Sequence, residues 1–369
     1  MFGAKSVGSG GKIASCDRPV PAGFRALQGF SRGSVRQMTT QQSGLEPIEP
    51  RKARELYLDH KRTAYTEATV RDHSYQTESL VEWCEENGVD NLNDLTGRDI
   101  QELRLWRKEA GDINVLTLNK YMSATRVFLK WCASIEAVQT ELHEKVMIPR
   151  VSPPEQRADE IIKPDTAKEI LAYLDRFHYA SLDHVLFALL WETGMRLGAV
   201  RGVDVPDVEI REERVLLRHR PDRDTNLKNG SRGERPVAIT SELAAVVDEY
   251  VDRRRRDVTD EYGRAPLFAS RQGRMSRATL RRHVYEITAP CFRNEYCKGC
   301  SSDSDPKCED SVSPHAIRRG SITYYLAEDV PVEVVSGRMN VSRDVLKKHY
   351  DCRTEDQKLE QRRGFLEEV

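Results

Sequence analysis

Pro314-His315-Ala316-Ile317-Arg318-Arg319-Gly320-Ser321 opens a helix late in this 369-residue chain, and the way it is read governs the rest. An i, i+3 spacing puts the His315 imidazole and the Arg318 guanidinium on one helical face. Three other segments of the second half each present chemistry-bearing side chains. Thr193-Gly-Met-Arg196-Leu-Gly198 is a turn after an apolar helix and displays Arg196. Leu227 to Val237 forms a polar hairpin tip carrying Lys228, and Lys348-His349-Tyr350 stands near the end of the chain.

The surrounding pattern is mainly α with a small antiparallel β-sheet. From about Pro50, Ala53, Leu56 and Tyr57, then Leu80, Trp83 and Cys84, recur at the intervals of a buried helical stripe. Thr96 and Asp99 have the spacing of a capping box ahead of Ile100, Leu103 and Trp106, and Leu118, Met122, Thr125, Leu129 and Cys132 form a further stripe. Residues 45–140 therefore read as a small helical bundle. Pro149, Pro153 and Pro154 break the helical pattern, which places an interdomain linker at 141–162. In the second domain, 163–369, the period changes at Val215-Leu-Leu217 and again at Val237 and Ile239, which predicts a short antiparallel sheet. A Cys-rich insertion at 291–308 interrupts the helices that follow.

The length suits two domains of ordinary size. Lysine and arginine total 58 against 59 acids, so any anion-binding surface must come from local segregation of charge. Eight cysteines at irregular positions do not form a secreted disulfide framework and fit a reducing, cytoplasmic setting. No apolar run reaches the ~18 residues of a membrane span. Residues 1–44, with Lys5, Lys12, Arg18, Arg25, Arg32 and Arg36 against Asp17, read as a disordered leader or as residues upstream of a true start at Met38; a targeting segment has the same composition.

Taken in order, the four segments resemble the tyrosine recombinase or phage integrase family. The wording of Pro314–Ser321, Met339-Asn-Val-Ser342 and His349-Tyr-Asp351 looks most like its haloarchaeal, Xer-like members. The resemblance spans about residues 50 to 360. It implies a helical, SAM-like core-binding domain and a catalytic domain that close as a clamp around double-stranded DNA, with assembly into a tetramer on the DNA. It implies strand cleavage and rejoining in integration, excision or resolution through a 3'-phosphotyrosine, with Tyr350 as nucleophile. Arg196 and Arg318 would hold the phosphate, since a planar, permanently charged guanidinium can donate twice to an oxyanion. His315 would exchange the phenolic proton, because an imidazole titrates near neutrality while a phenol does not. Lys228 would protonate the leaving 5'-oxygen. Neither ATP nor a catalytic metal is required, and the sequence carries no P-loop.

Two departures stand out. Ala199 occupies a position where the family usually has glutamate, and Val341 falls where it places a phosphate-supporting His or Trp. Arg338 or His349 are the candidates to compensate. Two rivals stay open at this stage: a catalytically impaired DNA-binding protein of the same fold, and a type IB-like topoisomerase. Cys291, Cys297, Cys300 and Cys308 include the tight Cys-x-x-Cys pair that zinc sites use, and imply a structural zinc with no open coordination position. Arg253-Arg-Arg-Arg256 reads either as a phosphate contact or as a solvated helical face.

Overall fold

A computed structural model describes residues 44–151, 160–297, 308–346, 354–356, 359, 360 and 363. Nearly all of the expected leader, Cys300, Lys348, His349 and Tyr350 lie outside the described residues. The chain forms two compact units, divided between Arg150 and Val151.

The first unit is a bundle of α1 (Pro50–Arg62), α2 (Glu67–Glu86), α3 (Gly97–Gly111) and α4 (Val115–Ser134). Each helix start is written locally. Pro50 sits at the first position of α1, and Thr66 and Asn114 cap α2 and α4 by accepting from Thr69 N and Thr117 N. The capping box expected at Thr96 and Asp99 is formed in both directions. The apolar stripes meet around Tyr57, Leu80, Trp83, Phe128 and Leu129, with the Tyr57 and Phe128 rings edge to face at 5.0 Å. Residues that the proline pattern assigned to the linker complete this core: a 3-10 turn at Leu142–Lys145 buries Leu142, and Val146 follows it inward.

In the second unit the Leu182–Thr193 helix is central. Every side chain from His184 to Trp191 is buried, as expected for a helix apolar on all sides. Around it pack the helices Pro164–Phe177, Ser241–Arg253, Arg277–Thr288 and Pro314–Ala327. The expected sheet is present as β1 (Val208–Glu209), β2 (Arg214–Leu217) and β3 (Arg235–Ala238), antiparallel in that order, with Val215 opposite Val237. The connection from β2 to β3 carries Lys228. A separate apolar cluster of Ile322, Leu326, Val335, Met339, Val341 and Leu346 holds the short Val332–Met339 helix onto the Pro314–Ala327 helix.

Arg220, Arg264 and Arg274 are all neutralised by Asp204, Asp207 and Asp260 in a largely buried ion network. The Arg253–Arg256 run is split in function. Arg255 buries its guanidinium, donating to Pro266 O and Val258 O, whereas Arg253 is exposed and pairs with Glu249. No helix among the described residues is long and apolar enough to cross a membrane.

Candidate active site

Ser313 caps the Pro314–Ala327 helix, accepting from Ala316 N at 3.3 Å while its own hydroxyl donates to Glu160 at 2.6 Å. Gly320 lets this helix approach the backbone of Ile162, since a Cβ there would collide with the Ile162 carbonyl. So anchored, the helix leaves His315 exposed in its first turn and buries Arg318 to 1% exposure one turn later.

Arg318 spans two helix ends. One terminal nitrogen donates to Gly194 O and the other to Met339 O at 2.9 Å. Gly194 ends the Leu182–Thr193 helix in the left-handed region at φ 56°, where a Cβ would meet Met339 Sδ at 2.7 Å; both the turn and the close approach require glycine. That turn delivers Arg196 to the start of the next helix, Leu197–Gly202, and Arg196 donates to Asn340 O at 3.4 Å.

A third arginine joins them that the sequence reading did not assign. Arg235, at the start of β3, donates to Arg338 O at 2.8 Å and to Gly233 O at 2.9 Å. Three guanidinium groups thus sit on three consecutive carbonyls, those of Arg338, Met339 and Asn340, at the end of the Val332–Met339 helix. This is the end at which cations are favoured and carbonyls lack helical partners. Burial, followed by the charges of Arg318, Arg196 and Arg338, pushes the Arg235 pKa down to about 10. Among the described residues, none of Arg196, Lys228 and Arg235 makes an ion pair, in contrast with the Asp-neutralised arginines elsewhere in this unit. The cluster concentrates positive charge in one place, suited to an anion.

Lys228 is exposed at the tip of the β2–β3 connection. Its neighbour Asn229 donates to the Asn340 side chain at 3.0 Å, tying the tip to the same turn. His315 feels four of the nearby cations. Surrounding protein mass, then the charges of Arg318, Arg319, Arg196 and Lys228, hold its pKa below the ordinary imidazole value, although the residue is exposed.

The two departures have physical explanations. Val341 is 6% exposed and belongs to the apolar cluster with Ile322 and Leu326, so it fills space and supplies no donor. Ala199 packs against the main core. Arg338, a candidate compensator, is held elsewhere: it donates to Glu192 O at 3.1 Å and lies over the Tyr325 ring. Tyr325 donates its hydroxyl to Glu192 O, and burial raises its pKa, which marks it as a structural tyrosine. Tyr324 packs on Trp191.

A family model described as the phage integrase family matches residues 160–351, more than half of the chain, and one for the phage integrase N-terminal SAM-like domain matches residues 55–134. The chain belongs to the phage integrase family. These enzymes are tyrosine recombinases, DNA strand transferases that act in recombination and integration. This integrase is 24% identical over 253 residues to the tyrosine recombinase XerC of Mycobacterium tuberculosis, covering 67% of this chain and 76% of that protein. In fold it is similar to the Tn1549 transposon integrase in complex with circular intermediate DNA, with TM-score 0.59, 14% identity, and coverage of 85% of this chain and 99% of that one. It is likewise similar to a lambda integrase dimer bound to a COC' core site, with TM-score 0.58, 12% identity, and coverage of 83% and 78%.

Proposed function

We propose that this integrase cleaves duplex DNA with Tyr350 and reseals it without ATP or a catalytic metal. The Tyr350 oxygen bonds to phosphorus as the bond to the 5'-oxygen breaks; the phenolic proton passes to His315 and the leaving oxygen takes a proton from Lys228. Arg196 and Arg318 stabilise the charge that grows on the non-bridging oxygens, and Arg235 adds to the same field. A 3'-phosphotyrosine ester keeps the bond energy, and a 5'-hydroxyl from a second strand reverses the steps to complete exchange.

The observation that carries this reading is the gathering of three arginines on consecutive carbonyls beside His315 and Lys228. In this reading the first unit adds backbone contacts that supply duplex affinity. The wording of Pro314–Ser321 supports kinship with haloarchaeal members, and synapsis of two sites calls for a tetramer on DNA. The DNA substrate supports a cytoplasmic site of action. The cysteine cluster and any metal it holds belong to the scaffold.

The test is a nicked suicide substrate drawn from the flanks of the protein's own gene. A denaturation-resistant protein–DNA adduct is expected with the wild type and not with Tyr350→Phe. Val341 motivates a second reading, a DNA-binding member with impaired chemistry, for which both proteins would bind DNA and neither would form the adduct. Relaxation of supercoiled plasmid lacking a defined site would point instead to a nicking-closing enzyme.

A further inference from the structure

The Sγ atoms of Cys291, Cys297 and Cys308 all lie within 4.8 Å of one another. We propose that these three thiolates hold a structural zinc ion that fastens the insertion between the Arg277–Thr288 and Pro314–Ala327 helices. The assignment is independent of the DNA-cleavage reading and is made on the three described cysteines alone.

The chain is bent to bring them together. A 3-10 turn at Pro290–Arg293 follows the first helix, and Asn294 then adopts the left-handed conformation at φ 60°. Asn294 N and Glu295 N bond back to Cys291 O and Pro290 O, each at 3.1 Å, so the chain doubles back before Cys297. Cys308 arrives from the far end of the insertion and is buried, while Cys297 is half-buried and Cys291 exposed. Sulfurs on a tetrahedral zinc at ~2.3 Å stand ~3.8 Å apart, so the observed grouping needs only a small contraction to bind the ion.

Phe292, next to Cys291, packs on Tyr173 and His178, but the sequence beyond it is poor in apolar side chains. From Arg293 to Lys307 its only large apolar side chain is Tyr296, which is 89% exposed. Such a segment gains little from hydrophobic burial, the usual circumstance in which a metal supplies the missing free energy. The protein's other described cysteines behave differently. Cys84 and Cys132 are wholly buried in the apolar core of the first unit, where burial raises both thiol pKa values, that of Cys84 to about 12. They are core filling, while the cluster gathers soft donors at a surface loop, the chemistry that favours zinc over hard cations.

The position gives the site a consequence. Cys308 O accepts from Ser311 N and Oγ, Val312 exchanges hydrogen bonds with Thr288 Oγ1, and Ser313 caps the helix that carries His315 and Arg318. The ion would set where that helix begins.

Purified full-length protein, kept reduced, is expected to contain about one zinc per chain by mass spectrometry. Cys308→Ser is expected to lose it, and Cys84→Ala to retain it. Because Cys308→Ser can fail to fold, the wild type is also stripped with a chelator and refilled with cobalt(II). Thiolate-to-cobalt charge-transfer absorption is the expected result, together with restored protection of the 315–318 amides from hydrogen exchange. A reduced wild type that carries no metal and yields no such absorption overturns the proposal, as does a disulfide linking two of the three cysteines in protein alkylated directly at lysis.

Discussion

Arg318 donates to the carbonyl of Met339 at 2.9 Å, joining the helix that begins at Pro314 to the last residue of the helix that begins at Val332. The same guanidinium also holds Gly194 O. Arg318→Lys keeps the charge and loses this two-ended geometry. Cleavage of a suicide substrate should fall by ~100-fold or more, as when an oxyanion donor is removed. Two buried carbonyls lose their partner, so urea unfolding should also show a loss of ~1–3 kcal/mol. Wild-type cleavage by Arg318→Lys would contradict its placement at the phosphate.

Val341→His is expected to harm the protein instead of improving it. The side chain points into the cluster of Ile322, Leu326, Val335, Met339 and Leu346, where an imidazole finds no partner. A buried polar group without a hydrogen bond costs ~1–3 kcal/mol by mutational data. A lowered melting temperature with no gain in cleavage rate is the anticipated result. A faster, equally stable variant would show that position 341 can turn towards the phosphate.

The pH dependence of cleavage should report His315. Its pKa is depressed in the DNA-free protein by its surroundings and four nearby cations. Acting as a base, it must be neutral, so the rising limb of the rate at sub-saturating DNA should have its midpoint below the ordinary ~6.5. Bound phosphate adds negative charge beside the ring, and at saturating DNA the limb should move to higher pH. In His315→Asn the limb should vanish. An unchanged limb would assign it to another group.

His283 offers a stability test away from the site. Its Nδ1 lies 2.8 Å from Asp183, and that hydrogen bond, opposed by burial, raises the imidazole pKa. A group whose folded pKa is raised stabilises fully below its unfolded value, near ~6.5, and the contribution is lost as pH rises through the folded value. The wild type should therefore exceed His283→Asn by on the order of 1 kcal/mol in acid, and the gap should narrow on passing to alkaline pH. A gap independent of pH would mean that the pair contributes as a neutral hydrogen bond.

Much of the architecture was legible because its causes are local. The Thr96 and Asp99 capping box, the α4 stripe and the change of period at Val215 each involve neighbours a few residues apart. Arg196, Lys228, His315 and Arg318 were legible as types at spacings. Arg235 was not, because its decisive partner, Arg338 O, is a main-chain atom 103 positions away and leaves no mark in the sequence. The direction of Val341 was equally hidden, since aligning a position does not say which way its side chain points. Within the stretch read as linker, the burial of Leu142 and Val146 was not legible, because two apolar residues suffice to draw a short turn into the core and form no periodic pattern. The arginine run at 253–256 looked uniform, and only tertiary packing separates buried Arg255 from exposed Arg253.

The acceptors that hold the three arginines are peptide carbonyls, which every residue possesses. A single codon change can delete a carboxylate that anchors an arginine, but no codon change deletes a carbonyl. The carbonyls of positions 338 to 340 therefore remain as acceptors whatever side chains stand there, provided the helix still ends at that point and the buried Met339 position stays filled. Such tolerance suits a chain that keeps an integrase fold at 12 to 14% identity to the Tn1549 and lambda proteins.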